Sequence, residues 1–143
     1  MRQVVSFRLK AVLENIPKAT EFVTQAAQAA GLIGKDLYQV QLAVDEACAN
    51  VVHHAYQGME LGDMEICCSY NEQTFCIQVR DWGRGFDLGQ VPEPRVHATL
   101  EERTLGGLGL FLIKEAMDQV HQSYYPGQGN LLVMVKRLHH VGE

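Results

Sequence analysis

The sequence has no apolar run approaching the roughly 18 residues that a membrane-crossing helix needs. Nor does it begin with the apolar core of a secretion signal, because Arg2, Arg8, Lys10 and Glu14 interrupt any such stretch. It also lacks a basic cluster. Its 17 acidic residues outnumber 12 basic ones, giving a formal charge of −5, so nothing in it would follow a nucleic-acid backbone electrostatically. A cytoplasmic location is therefore expected, with no membrane and no nucleic acid as partner. Cysteine is sparse, and the four positions Cys48, Cys67, Cys68 and Cys76 contain no C-x-x-C pair. Neighbours 67 and 68 on a strand point to opposite faces, so these thiols read as small core residues in a reducing compartment, not as zinc ligands. There is no internal repeat and no linker. What remains is 143 residues, 47% hydrophobic and 20% charged. That is enough to build a core without disulfides or a structural metal, and residues 1–143 read as a single domain.

Gln3–Leu9 alternates apolar and polar side chains, which predicts a first strand. Pro17 suits the first turn of a helix carrying Ala19, Phe22, Val23, Ala26, Ala27 and Ala30 at spacings of three and four, stopped by Gly31. A second helix is predicted from Asp36, as its N-cap, to about Tyr56, with Gly58 as the stop. Its core stripe is Leu37, Val40, Val44, Ala47, Val51 and Ala55. Gln39, Glu46, Asn50 and His53 lie on another side among small and apolar neighbours, so Glu46 and Asn50 should line an enclosed space. The adjacent His53 and His54 point about 100° apart on a helix and do not converge on a metal.

Asp63–Tyr70 and Thr74–Asp81 form a hairpin around Asn71-Glu72-Gln73. The stretch from Trp82 to Leu105 loses periodicity, and a loop of that length in a compact domain is usually functional or mobile. A third helix should begin near Gly107, apolar on nearly all sides and hence central. Val120–Tyr125 and Asn130–Leu138 make a last hairpin turned at Pro126–Gly129. This order predicts an α+β, two-layer sandwich: a mixed, mostly antiparallel sheet with helices packed on one face.

Three patterns carry chemistry. Glu46-x-x-x-Asn50 places a carboxylate and an amide one helical turn apart, able respectively to deprotonate a hydroxyl and to ligate Mg²⁺. Asp81-x-Gly83-x-Gly85 leaves a strand with a carboxylate that can accept a hydrogen bond from an exocyclic amine, while the glycines admit a flat ring close to the backbone. Gly106-Gly107-Leu108-Gly109 opens a helix, where bare backbone N–H groups and the helix dipole can hold phosphate without many cations. This last point removes the objection that an acidic chain is a poor host for a polyanion.

The three blocks resemble those of the GHKL superfamily of ATP-binding domains. The runs Asp45–Tyr56, Val79–Asp87 and Gly106–Asp118 are most similar to the bacterial anti-sigma-factor serine/threonine kinases, and the likeness spans residues 3–138. The resemblance implies a Bergerat-type fold and a Mg-ATP-dependent serine/threonine protein kinase acting as an anti-sigma regulatory factor in a partner-switching pathway. It implies Glu46 as general base, Asn50 as the Mg²⁺ ligand, Asp81 as the adenine acceptor, and Gly83 and Gly85 as shapers of the adenine pocket. Gly106, Gly107, Leu108 and Gly109 would meet the phosphates. A lid at about 87–105 would bring Arg95, Arg103 and Thr104 towards them, with Trp82 and Phe86 packing the pocket wall. The protein substrate would be an anti-sigma-factor antagonist and the third protein could be a sigma factor. Relatives often dimerise, so a homodimer is among the expectations. Asn130 departs from the Thr or Ser common after the last hairpin's glycine, and Leu108 from a common arginine. Two other readings compete: a non-catalytic, ATP-gated protein-binding module and a detached histidine-kinase catalytic domain.

Overall fold

The computed structural model describes residues 3–85 and 108–139. In chain order the elements are β1 (Gln3–Lys10), a single 3₁₀ turn, α1 (Ile16–Ala29), α2 (Gly34–Asn50) continued by a wide π-type turn (Val51–Ala55), β2 (Asp63–Tyr70), β3 (Thr74–Asp81), α3 (Leu108–Ala116), β4 (Gln119–Tyr125) and β5 (Gly129–Arg137). The five strands form one sheet in the order β1-β2-β3-β5-β4. All four pairings are antiparallel. The expected mixed sheet is thus corrected: the chain crosses through α3 from β3 to β4, and β5 turns back to insert antiparallel between them, so among the described residues no two neighbouring strands run parallel.

Strand alternation decides which face the helices cover. Met64, Ile66 and Cys68 on β2, Phe75, Ile77 and Val79 on β3, and Leu132 and Met134 on β5 are buried, whereas Glu65, Cys67, Cys76 and Val133 between them stay half-exposed on the helix-free face. Val23, Ala26 and Ala27 of α1, Val40, Ala43, Val44 and Ala47 of α2, and Ile113 and Ala116 of α3 complete the core. Burial pushes the thiols of Cys48 and Cys68 up to about 12, so they act there as apolar fillers.

Three local expectations change. The residue capping α2 is Ile33, not Asp36: the helix begins at Gly34, which has a left-handed φ of 56°, and its cap lies three residues earlier than expected. Asp36 falls in the first turn, 3.9 Å from the buried ammonium of Lys136. The second helix widens after Asn50 instead of running on regularly to Tyr56. The third helix is not central: Ile113, Ala116 and Met117 are buried, but Phe111 is 43% exposed. Lys136 joins the layers where α3 ends. Its Nζ donates to Gln39 Oε1 at 2.6 Å and to the Ala116 carbonyl at 2.7 Å, which takes Gln39 away from the group around Glu46. Among the described residues no helix is long and apolar enough to cross a membrane.

Candidate functional site

Asp81 ends β3 on the helix-facing side and is only 1% exposed. Its cross-strand partner is Asn130 of β5. Asn130 Nδ2 donates to Asp81 Oδ1 and to the Arg84 carbonyl, both at 2.8 Å, and the Gly83 N–H donates to the same Oδ1 at 2.9 Å. Burial pushes the Asp81 carboxyl above the ordinary carboxylate value, and the bonds from Asn130 and Gly83 pull it back towards ionisation. The result is a carboxylate held in one orientation at the inner end of the sheet.

Glycines allow three close approaches around it. A Cβ on Gly83 would lie 2.0 Å from the Ala55 carbonyl oxygen, which also accepts the Arg84 N–H at 2.8 Å. Gly83 therefore seats the loop after Asp81 on the wide turn that ends α2, a role the sequence did not suggest. At Gly85 a Cβ would lie 3.0 Å from the Tyr124 ring. Gly129 has a φ of 84°, and a Cβ there would come within 2.0 Å of the Asp81 carbonyl oxygen. Only glycine lets β5 begin this close to Asp81.

Glu46 and Asn50 occupy successive turns of α2. The buried Gly109, near the start of α3, packs directly on both, since a Cβ there would lie 3.2 Å from Glu46 Oε2 and 3.4 Å from Asn50 Oδ1. Asn50 is 7% exposed, and its Nδ2 has no hydrogen-bond partner among the described residues. An unsatisfied buried amide N–H costs about 1–3 kcal/mol, and such a donor is able to take a hydrogen-bond acceptor. Burial raises the Glu46 carboxyl above its ordinary value, and neighbouring Asp45 raises it further.

A cleft lies between Asn50 and Asp81. Ala47, Asn50 and Val51 of the second helix, Val79 and Asp81 of β3, Gln122 of β4, and Asn130, Leu131 and Leu132 of β5 line a narrow space of about 10 Å³, the size of one water molecule. The structure thus brings Asn50 and Asp81 to one cleft, with Glu46 and Gly109 against Asn50 and with Gly83 and Gly85 on the adjoining loop. Trp82 does not line the cleft; the Arg8 guanidinium sits 4.1 Å above its ring. Leu108 opens α3. Phe86, Arg95, Arg103, Thr104, Gly106, Gly107 and the expected lid at 87–105 lie outside the described residues. Sequence reasoning missed Gln122, whose signal was only its alternation on β4, and treated Asn130 as a departure when it is the direct partner of Asp81.

The residues fit a Mg²⁺ ion that relies on its substrate for most ligands. Among the described residues no three His, Cys, Asp or Glu side chains converge as a metal cage. What they offer is the buried amide of Asn50 beside the carboxylate of Glu46, and Mg²⁺ is commonly held by one or two protein groups together with substrate phosphates.

Comparison with known proteins identifies the family. The family model described as the histidine kinase-like ATPase domain matches residues 9–136. The chain is 31% identical over 140 residues to the serine-protein kinase RsbW of Listeria innocua, covering 95% of this chain and 88% of that one. It is 35% identical over 137 residues to the protein of the same name from Halalkalibacterium halodurans, covering 86% and 80%. Against the Bacillus pumilus serine-protein kinase RsbW it is 34% identical over 118 residues, 73% of each chain. With a buried carboxylate at the end of β3, an amide and a carboxylate on α2, and a family match over nearly its whole length, this chain belongs to the histidine kinase-like ATPase domain family.

Proposed function

We propose that this protein is a cytoplasmic, Mg-ATP-dependent serine/threonine protein kinase, acting as an anti-sigma regulatory factor that phosphorylates an antagonist protein and so switches partners with a sigma factor. The observation that carries the reading is the packing of Gly109 against Glu46 and Asn50, with Asn50 sharing one cleft with the buried Asp81. Relatives named serine-protein kinase over most of this chain support it.

In this reading Asp81 accepts the exocyclic amine of adenine, in a loop shaped by Gly83 and Gly85. Backbone N–H groups of Gly106, Gly107, Leu108 and Gly109 meet the phosphates, aided by Arg103 and Thr104. Asn50 holds Mg²⁺, which when bound neutralises charge on the phosphate oxygens. Glu46 takes the proton from the serine or threonine hydroxyl as its oxygen attacks the γ-phosphorus and ADP leaves. Burial raises its pKa, which makes it a stronger base than an exposed carboxylate. Phosphoryl transfer asks mainly for position and charge stabilisation, which a rigid sheet end and two helices can provide.

The test is incubation of the purified protein with γ-labelled ATP, Mg²⁺ and a candidate antagonist protein. Label on the antagonist that survives acid treatment is expected. Absence of transfer despite ATP binding would indicate the non-catalytic, ATP-gated module, and acid-labile label would indicate phosphohistidine and the detached histidine-kinase reading.

A further inference from the structure

Tyr56 follows the wide turn at the end of α2, and its hydroxyl reaches between two strand ends. It donates to the Asp63 carbonyl at 2.6 Å and accepts the Trp82 backbone N–H at 3.0 Å. The β2–β3 register pairs Met64 with Asp81, so Asp63 and Trp82 are the residues the ladder would join next. The phenol stands in that rung. Its ring is fixed by Gly62, where a Cβ would come within 2.5 Å of it. Two further bonds bring the loop to the same helix end: the Arg84 N–H to the Ala55 carbonyl at 2.8 Å, and Arg84 Nη2 to Gln57 Oε1 at 2.8 Å. Residues 55–57, one to two turns beyond Asn50, therefore hold the backbone that immediately follows Asp81.

We infer that Tyr56 is a positioning residue for nucleotide recognition: by occupying the rung after Asp81, its hydroxyl sets the direction in which the Asp81 loop leaves the sheet and ties that loop to the helix carrying Glu46 and Asn50. This rests on the reading of Asp81 as the base acceptor. Tyr56 itself does not line the cleft, so it acts only through the loop.

The experiment is a double-mutant cycle of Tyr56→Phe and Asp81→Asn in the full chain, read by calorimetry with Mg-ATP. A second readout is the emission of Trp82, the sole tryptophan. Tyr56→Phe keeps the ring and removes one hydroxyl. It is expected to weaken ATP binding about 3- to 10-fold, part of the worth of the two hydrogen bonds the hydroxyl makes. It should also shift Trp82 emission to the red as its backbone loosens, and add less than about twofold when Asp81 is already Asn. Thermal melting checks folding. Gln57→Ala, at an exposed position, is the second arm and should move Trp82 emission the same way. If Asp81→Asn alone weakens ATP binding while neither Tyr56→Phe nor Gln57→Ala changes affinity or emission, the inference is overturned and the base site stands. An equal loss from Tyr56→Phe in both backgrounds overturns it too. If Asp81→Asn binds ATP like the parent, the base-site reading falls and this inference with it.

Discussion

Asn130 Nδ2 lies 2.8 Å from Asp81 Oδ1 across the β3–β5 seam, and the same nitrogen donates to the Arg84 carbonyl at 2.8 Å. One amide therefore orients the buried carboxylate and anchors the loop that leaves it. A carboxylate that is 1% exposed would favour its neutral form if left alone. Donors from Asn130 and Gly83 keep the ionised form accessible, and only that form is a pure acceptor for an amine. The register that sets these two residues opposite one another is the structural basis of the proposed base site.

Asp81→Asn should separate stability from binding. The folded-state pKa of Asp81 is raised, so its contribution to stability is fully present below the unfolded carboxylate value and is lost as pH rises through the folded one. Near neutral pH the ionised group is a cost that Asn removes while keeping an Oδ1 for Asn130 and Gly83. The variant should melt at or above the parent temperature at pH 7, with the difference closing as the solution is acidified. Its ATP affinity should fall by about 1.5–3 kcal/mol, the range for hydrogen bonds to charged groups. Differential scanning calorimetry and ATP titration measure the two halves.

Asp45→Asn should move the pH profile of phosphoryl transfer. Burial is the larger cause of the raised Glu46 pKa and the Asp45 charge the smaller. A base works when ionised, so the rate rises with pH through the Glu46 value. Removing the neighbouring charge lowers that value, and the acid limb should shift to lower pH without returning to the ordinary 4.5, because burial remains. An unmoved acid limb would assign it to another group.

Glycine substitutions should rank by surroundings. Gly31 has a φ of 103° and nothing within 4 Å of a would-be Cβ, so Gly31→Ala meets only backbone strain, about 1–2 kcal/mol. Gly129→Ala adds to similar strain a Cβ 2.0 Å from the Asp81 carbonyl oxygen. Overpacking of that kind brings about 1–3 kcal/mol more. Urea unfolding should show the larger loss at Gly129, and only that variant should weaken ATP binding, since the displaced atom belongs to Asp81.

Local signals carried much of this fold. The Asn71 side chain accepts the N–H groups of Gln73 and Thr74, which is the mechanism behind a turn-forming Asn, and both ends of that hairpin were legible. Gly31 and Gly58 take the positive φ expected of helix stops. The strand order was not legible, because β1–β2 and β3–β5 join segments some 60 residues apart, and alternation says which face is buried but not which strand is adjacent. Asp36 resembled a cap because the alternative start needed Gly34 in a left-handed conformation. Lys136 gave no warning: a lysine near a strand end reads as solvated, yet here it is buried and donates to the Ala116 carbonyl at the C-terminal end of α3. At the site, Glu46, Asn50, Asp81 and Gly109 were visible as motifs. The partnership of Asn130 with Asp81 depends on register, and that of Gly83 with Ala55 on a change of helical pitch.

Glu46→Gln tests the central claim most directly. The substitution keeps size and hydrogen bonding but removes the base. With Mg-ATP and the antagonist substrate at saturation, the variant is predicted to bind ATP like the parent and to transfer phosphate roughly 10²–10⁴-fold more slowly. Transfer at the parental rate would contradict the assignment of Glu46 and the kinase mechanism built on it.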